Sequence, residues 1–377
     1  MVKEVDWLIV GGGIAGASVG HFLAPHGRVA LLEREPHPGY HSTGRSAALW
    51  WAGYGTPQVR ALTAATRPFL ERPPDGFSDT PLVSPREVMI VAAADRLDAL
   101  QALHDEIRDT APALRRIDGA AARQRVPVLR PEAAVAALLE PEAFDIDVHA
   151  LHQGFLGSMR RAGADVATGA EVLSLSREAD GWQVRTQRGS WKASVVVNAA
   201  GAWCDQLAQR AGAAPIGLEP RRRSAFTFAP PEGLATAGWP MFLDVDETFY
   251  VRPDAGVLLG SPANADPTFP QDVQPEELDI ALAIDRIQSA CTLSIRRPIR
   301  TWAGLRSFVN DGDLVGGWDP AVPGFFWVAA QGGYGIQTSA AMGEVCAALL
   351  RRRALPPHIA DAGIDEVMLS PSRLRRT

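Results

Sequence analysis

Lysine is almost missing from this sequence: Lys3 and Lys192 are the two it has. A mechanism built on a lysine Schiff base or a lysine general base therefore has almost no candidates. Cysteine is scarce too, and Cys204, Cys291 and Cys346 lie far apart. They form neither a C-x-x-C pair nor a Cys/His metal spacing, so buried free thiols are expected and no metal site is. No run approaches the roughly 18 consecutive apolar residues of a membrane helix. Lys3, Glu4 and Asp6 precede a short apolar stretch, unlike a signal peptide, and a cytoplasmic protein is expected. There is no Lys/Arg-rich block and the formal net charge is -6, which argues against nucleic acid as a partner. Neither a repeat of fixed period nor a low-complexity linker interrupts the chain.

With 377 residues, 46% of them hydrophobic, the chain can bury a sizeable core and is long enough for about two domains. One stretch organises the rest. Trp7 to Val10 reads as an apolar strand, Gly11 to Gly16 as a G-x-G-x-x-G turn, Ile14 to Leu23 as a helix, and Val29 to Leu32 as a second strand ending in Glu33. In this βαβ context the motif is a nucleotide cradle. Gly11 permits the tight turn, Gly13 the approach of a pyrophosphate to the helix N-terminus beside Ala15, and Gly16 close packing of helix on strand. Glu33, followed by Arg34, would accept the ribose hydroxyls.

Pro38 to Ala48 is rich in small and hydroxyl residues. It reads either as a plain loop or as one whose Ser42, Thr43, Gly44, Arg45, Ser46, Ala47 and Ala48 continue along the diphosphate and ribityl chain of a cofactor longer than a nicotinamide nucleotide, with Arg45 near a second phosphate. Leu49-Trp50-Trp51-Ala52-Gly53-Tyr54-Gly55 is either core or a pocket wall with Tyr54 as a movable lid. Helices are expected at Val59 to Leu70, Leu97 to Ile107, Ala120 to Arg125 and Asp147 to Arg161. Strands are expected at Arg86 to Ala92, Ala164 to Ala167, Val172 to Ser176, Trp182 to Thr186, Ser190 to Val197, Pro220 to Phe228, Glu247 to Arg252 and Gly256 to Ser261. Gly201 follows the strand exit at Asn198. Near the C-terminus Phe325 to Ala330 runs into a second glycine turn, Gln331-Gly332-Gly333-Tyr334-Gly335, and a helix from Ile336 through Gln337 to Leu350. Its amides would face an acceptor that becomes anionic, as a reduced flavin does.

The cofactor part is thus discontinuous, at 1–80, 145–215 and 300–377. Segments 81–144 and 216–299 roof the pocket with a mostly antiparallel sheet. Strand alternation sends Arg221 and Arg223 to one face and Arg222 to the other; exposure is the ordinary reading of such a basic strand. Arg306 sits in an apolar, glycine-containing run and needs an anionic partner, which a substrate carboxylate would supply. Tyr250 is either a core tyrosine or a donor to the same carboxylate.

Gly11 to Gly16 with Glu33, His41 to Ala47, Asn198 to Trp203 and Gln331 to Gly335 resemble the FAD-dependent D-amino acid oxidase superfamily. Tyr54 to Arg60, Arg222 to Phe226, Gly260 to Asp266 and Thr301 to Phe308 are similar, within it, to the bacterial D-arginine dehydrogenases. The resemblance implies an α/β fold with a Rossmann-type, glutathione-reductase-like FAD-binding domain and a second α+β substrate domain. It implies noncovalent FAD, because the region 300–310 lacks the cysteine to which sarcosine oxidases attach flavin. By position, Arg223, Arg306 and Tyr250 match a carboxylate clamp, Tyr54 a lid, and Gly333 the glycine whose carbonyl accepts from the substrate amine. Val172 falls among the cofactor-contacting positions.

Two positions depart: Leu49 stands where the relatives have a histidine, and Val88 where they have a glutamate. The implied activity is oxidation of a D-amino acid to an imine, hydrolysed to a 2-oxo acid and ammonia, with a quinone, a dye-like acceptor or O2 taking the electrons. With Val88 facing the pocket and Glu87 facing away, a wall of Val88, Leu49, Trp50 and Tyr54 would favour an apolar side chain. The alternatives are a secondary-amine oxidase for proline- or sarcosine-like substrates and a flavoprotein subunit without turnover.

Overall fold

The computed structural model describes residues 2–375. Lys3–Val10 is a strand with Leu8 and Ile9 fully buried. Helix Ile14–Leu23 follows the glycine turn, and Val29–Leu32 pairs in parallel beside the first strand. A Cβ added at Gly16 would lie 2.0 Å from the Gly11 carbonyl oxygen, and Gly11 itself has φ +112°. The turn closes only with glycine at both positions.

The first sheet has eight strands. Its main run is Val172–Glu178, Gly181–Thr186, Gly189–Asn198, Lys3–Val10, Val29–Leu32 and Asp165–Ala167. Phe325–Ala329 adds in parallel to Gly189–Asn198, and Val315–Trp318 pairs with it. Helices Ile14–Leu23, Val148–Arg161 and Ser339–Leu350 bury their apolar residues on one face. Trp182, Trp191 and Trp327 fill the core on the other. Cys204, Cys291 and Cys346 are buried and free. No helix among the described residues is long and apolar enough to cross a membrane.

The second sheet has nine strands, in the order Asp266–Pro267, Glu219–Phe228, Val257–Ser261, Tyr250–Asp254, Met241–Asp244, Val88–Ala92, Ala136–Glu140 and Arg115–Asp118, with Arg300–Phe308 also pairing to Glu219–Phe228. All neighbours are antiparallel except Met241–Asp244 with Val88–Ala92. The strand Arg300–Phe308, grouped from sequence with the cofactor part, therefore belongs to this sheet. A short three-stranded sheet, Leu49–Trp50 with Phe144–Ile146 and Val83–Pro85, completes the strand pairing.

Several elements lie outside the sequence reading, and three of them bear on the site or on the sheet around it. Met241–Asp244 and Ala136–Glu140 are only four and five residues long. In helix Glu277–Ala290 the apolar residues Leu278, Ile280, Leu282 and Ile284 alternate with the period of a strand. Two boundaries also move. Glu247 lies in a turn at φ +51°, with the strand starting only at Tyr250. The C-terminal helix starts at Ser339 rather than Ile336, leaving Gly335, Ile336 and Gln337 in the turn.

Candidate active site

Two cavities meet at Ile14, Ser42, Thr43, Leu305, Gln331 and Gly332. The larger, about 260 Å³, is lined by Gly11, Gly13, Ala15, Glu33, Arg34, Ser42, Thr43, Val172, Gly201 and Gly332. Gly13 is the N-cap of helix Ile14–Leu23 and provides no side-chain cap, and no acidic residue occupies the first turn. The positive end of the helix thus opens on the cavity. The Glu33 carboxylate accepts from the Gly12 N–H at 2.7 Å and the Glu35 N–H at 2.8 Å, which fixes it at the strand end. Ile14 N–H donates to Thr43 Oγ1 at 3.0 Å, tying the hydroxyl-rich loop to the glycine turn. Arg34 lies over the Trp203 ring at 4.2 Å. Behind the turn, His152 Nε2 meets the Gly12 carbonyl at 2.9 Å, and burial lowers its pKa.

At the junction the side-chain oxygen of Gln331 is buried without a hydrogen-bond partner. A trough with an uncapped helix end, an anchored carboxylate and an orphaned amide fits a long dinucleotide that runs on into the second cavity. Ser46, Ala47, Ala48, Gly333, Gly335, Ile336 and Gln337 line that continuation. Three residues expected at the cofactor act from behind the wall. Gly16 packs under its helix, a Cβ at Gly44 would lie 2.6 Å from the Gly39 carbonyl oxygen, and the Tyr334 ring packs against Tyr54 and Phe308. Arg45 lines that continuation as well, and its guanidinium also donates to the Val273 and Ala303 carbonyls, pairs with Asp272 and lies over Tyr40, which straps neighbouring segments together.

The second cavity is about 160 Å³. Arg223, from Glu219–Phe228, and Arg306, from Arg300–Phe308, line it together with Tyr54, Tyr250 and Leu49. Gly304 stands opposite Arg223 in the sheet and leaves room above the strand. A Cβ on Gly333 would lie 2.7 Å from the Arg306 guanidinium, so glycine is what lets that side chain lie against the second turn. Arg306 donates to the Tyr54 hydroxyl at 3.1 Å, and Arg223 Nε donates to the Asn264 carbonyl at 2.6 Å.

Among the described residues neither arginine forms an ion pair. Arg222, one residue along and on the opposite face, instead meets Asp279 at 2.8 Å as well as Glu276. Burial, reinforced by the charge of Arg306, pushes the Arg223 pKa down to about 10. Burial also works against the charge on Arg306, but Tyr54 and Tyr250 hold its pKa above the ordinary value. Both remain cationic at neutral pH, and the pair forms a recess for an anion.

Two wall residues differ from the expectation. Val88 is on the cavity side of its strand but only 1% exposed, behind the lining. Met241, its partner in the adjacent strand, and Leu243 take the wall position. Trp50 points away, stacked on Phe144 and donating to the Thr63 carbonyl, because alternation in its strand gives the cavity to its neighbours Leu49 and Trp51. Glu87 faces away as expected and meets Arg125 at 3.3 Å. Sequence reasoning missed Met241, Leu243 and Glu247. The first two alternate around Phe242 in a strand too short to show, and Glu247 is, among the described residues, the one carboxylate lining the second cavity.

Residues 6–349 match the family described as DAO, FAD dependent oxidoreductase. L-2-hydroxyglutarate dehydrogenase of Escherichia coli is 27% identical over 240 residues, 60% of this chain and 54% of that protein, so the chain spans about half of that relative's length. Glycine oxidase of Geobacillus kaustophilus is 25% identical over 391 residues, covering 97% of this chain and all of that one. The crystal structure of that glycine oxidase superposes with a TM-score of 0.81 at 23% identity over 94% of this chain and 96% of its own. L-alpha-glycerophosphate oxidase of Mycoplasma pneumoniae, solved with FAD bound, gives 0.84 at 19% identity over 94% and 97%. At these identities the structural likenesses concern the fold.

Proposed function

The chain belongs to the family of FAD-dependent oxidoreductases, and from that premise we propose that it oxidises the α-carbon–nitrogen bond of a D-amino acid with an apolar side chain. The observation that carries this reading is the pair Arg223 and Arg306, which line the second cavity with two tyrosines and have no ion-pair partner among the described residues. FAD, when bound, supplies the two-electron acceptor. The residues of this chain supply the positioning. Arg223, Arg306 and Tyr250 hold the substrate carboxylate, the Gly333 carbonyl accepts a hydrogen bond from the neutral amine, and Trp51 with Tyr54 shields the site from water.

The substrate gives up two electrons and two protons to become an imine. Water then adds, giving a 2-oxo acid and ammonia, and the electrons pass on to a quinone, a dye-like acceptor or O2. Leu49, Met241, Leu243 and Ala225 make most of the wall apolar, with Glu247 as its one carboxylate among the described residues, and this supports the preference.

A second reading is oxidation of a 2-hydroxy acid, since the same clamp would take its carboxylate and one relative is an L-2-hydroxyglutarate dehydrogenase. Anaerobic mixing of the holoprotein with D-amino acids, L-amino acids, secondary amines and 2-hydroxy acids separates the two readings. Bleaching of the flavin by apolar D-amino acids is expected. Bleaching by 2-hydroxy acids alone would transfer the assignment, and bleaching by nothing would favour a subunit without turnover.

A further inference from the structure

Behind Trp51 and Tyr54 lies a carboxylate that the reaction above does not use. Glu140 ends the strand Ala136–Glu140, is 2% exposed, and forms no ion pair among the described residues. Its Oε1 accepts from the Ala52 N–H at 2.9 Å. Its Oε2 is buried without a hydrogen-bond partner, and so is Nε1 of the Trp51 indole. A Cβ on Gly53 would lie 3.3 Å from that oxygen and 3.2 Å from that nitrogen, so both flank the same point of the backbone. Trp51 in turn lies flat on Tyr54, with the rings 4.8 Å apart at 3°. At the far end of the segment Arg60, also buried, donates to the Gly55 carbonyl at 2.8 Å and pairs with Glu106. Residues 51–55 are thus gripped at both ends by buried charged side chains. An interior carboxylate without a cation works against folding, which an apolar residue at the end of this strand would avoid.

We propose that Glu140 is a positioning residue: through the backbone of residues 51–53 it holds Trp51 and Tyr54 against Arg306, and so sets the affinity of the cavity for a carboxylate. This rests on the reading of Arg223, Arg306 and Tyr54 as the carboxylate site. Burial pushes the Glu140 carboxyl up to about 7, against the pull of the Ala52 N–H, with the charge of Glu142 adding to the rise. Ionised, the group offers acceptors only, which suits a segment that presents donors; protonated, it turns a hydroxyl donor toward them. The grip therefore loosens as pH falls through about 7.

The other charges around it are engaged elsewhere. Glu142 meets Arg67, and Arg60 meets Glu106. In the strand opposite, Val88 pairs with Glu140, while Glu87 is turned to Arg125. Arg115 and Arg116 of the next strand are exposed, and His104 of helix Leu97–Ile107 faces Asp105. Across Tyr54, Arg223, Arg306 and Glu247 line the cavity.

The test uses benzoate, a carboxylate without an amine that stays ionised from about pH 6 to pH 8.5, and reads its Kd from the flavin absorption of the holoprotein. Binding to the wild type should weaken about fivefold from about pH 8 to pH 6, the equivalent of one hydrogen bond. Glu140→Gln should bind about fivefold more weakly at pH 8 and show no further weakening at pH 6. Should that variant not accumulate as holoprotein, Glu140→Asp keeps the charge one methylene back, and is expected to bind more weakly while retaining the pH dependence. A wild-type Kd that does not change with pH, or a Glu140→Gln Kd within about twofold of wild type at both pH values, overturns the proposal. Absence of benzoate binding in the wild type would instead remove the carboxylate-site reading on which it stands.

Discussion

The Arg306 guanidinium donates to the Tyr54 hydroxyl at 3.1 Å, joining a strand of the second sheet to a segment that precedes helix Pro57–Glu71 by only a few residues. Tyr54 thereby lines the second cavity beside Arg306, and its ring packs on Trp51 and on Tyr334.

Arg306→Met is expected to keep FAD bound and to lose about 30-fold or more in kcat/KM, since removing one member of a desolvated charge pair costs about 2–5 kcal/mol. Steady-state kinetics on the best amino acid, with the flavin-to-protein absorbance ratio as the control, checks this. A loss under about threefold would make Arg306 structural.

Substrate choice follows from the wall. Apolar D-amino acids such as D-leucine, D-methionine or D-phenylalanine should exceed D-arginine by about tenfold or more in kcat/KM, about 1.4 kcal/mol, because Met241, Leu243 and Leu49 offer no counter-charge. Glu87→Gln should leave this ranking unchanged, as that carboxylate lies across the sheet with Arg125. D-arginine or D-lysine as best substrate would bring Glu247 forward as the partner of the cationic side chain.

FAD should be released by acid or heat precipitation and leave its yellow colour in the supernatant. Colour that stays with the precipitate would show a covalent link.

His21 gives a stability prediction with a defined sign. It sits among Phe22, Phe69, Phe77 and Phe155, and burial, helped by the charge of Arg161, lowers its pKa to about 4. Because the unfolded chain takes up the proton near pH 6.5, its contribution is intact above that pH and is lost as pH falls through the folded value. Between about pH 7 and pH 5 the loss is about 1–2 kcal/mol. Thermal melts of wild type and His21→Phe should therefore diverge as pH falls, the variant losing less; parallel curves would contradict this.

Much of the fold could be read from the chain because its signals are local. The glycine turn, helix Ile14–Leu23 and strand Val29–Leu32 are each specified by adjacent residues. The resemblance located Arg223, Tyr250 and Arg306, and the fold brings all three to one cavity. What escaped depends on contacts between distant segments. Arg45 carries the same charge whatever it faces, and its contacts with Asp272 and Val273 come from a segment far away in the chain. Alternation puts Val88 on one face of its strand, but whether it reaches the cavity depends on Met241–Asp244, a strand too short to announce itself.

The most direct measurement is anaerobic mixing of the holoprotein with the two enantiomers of methionine, following the flavin absorption and the 2-oxo acid released. The account predicts full bleaching by D-methionine with one 2-oxo acid formed per flavin, and no bleaching by L-methionine. Bleaching by the L-enantiomer, or by neither enantiomer while a 2-hydroxy acid reduces the flavin, would contradict it.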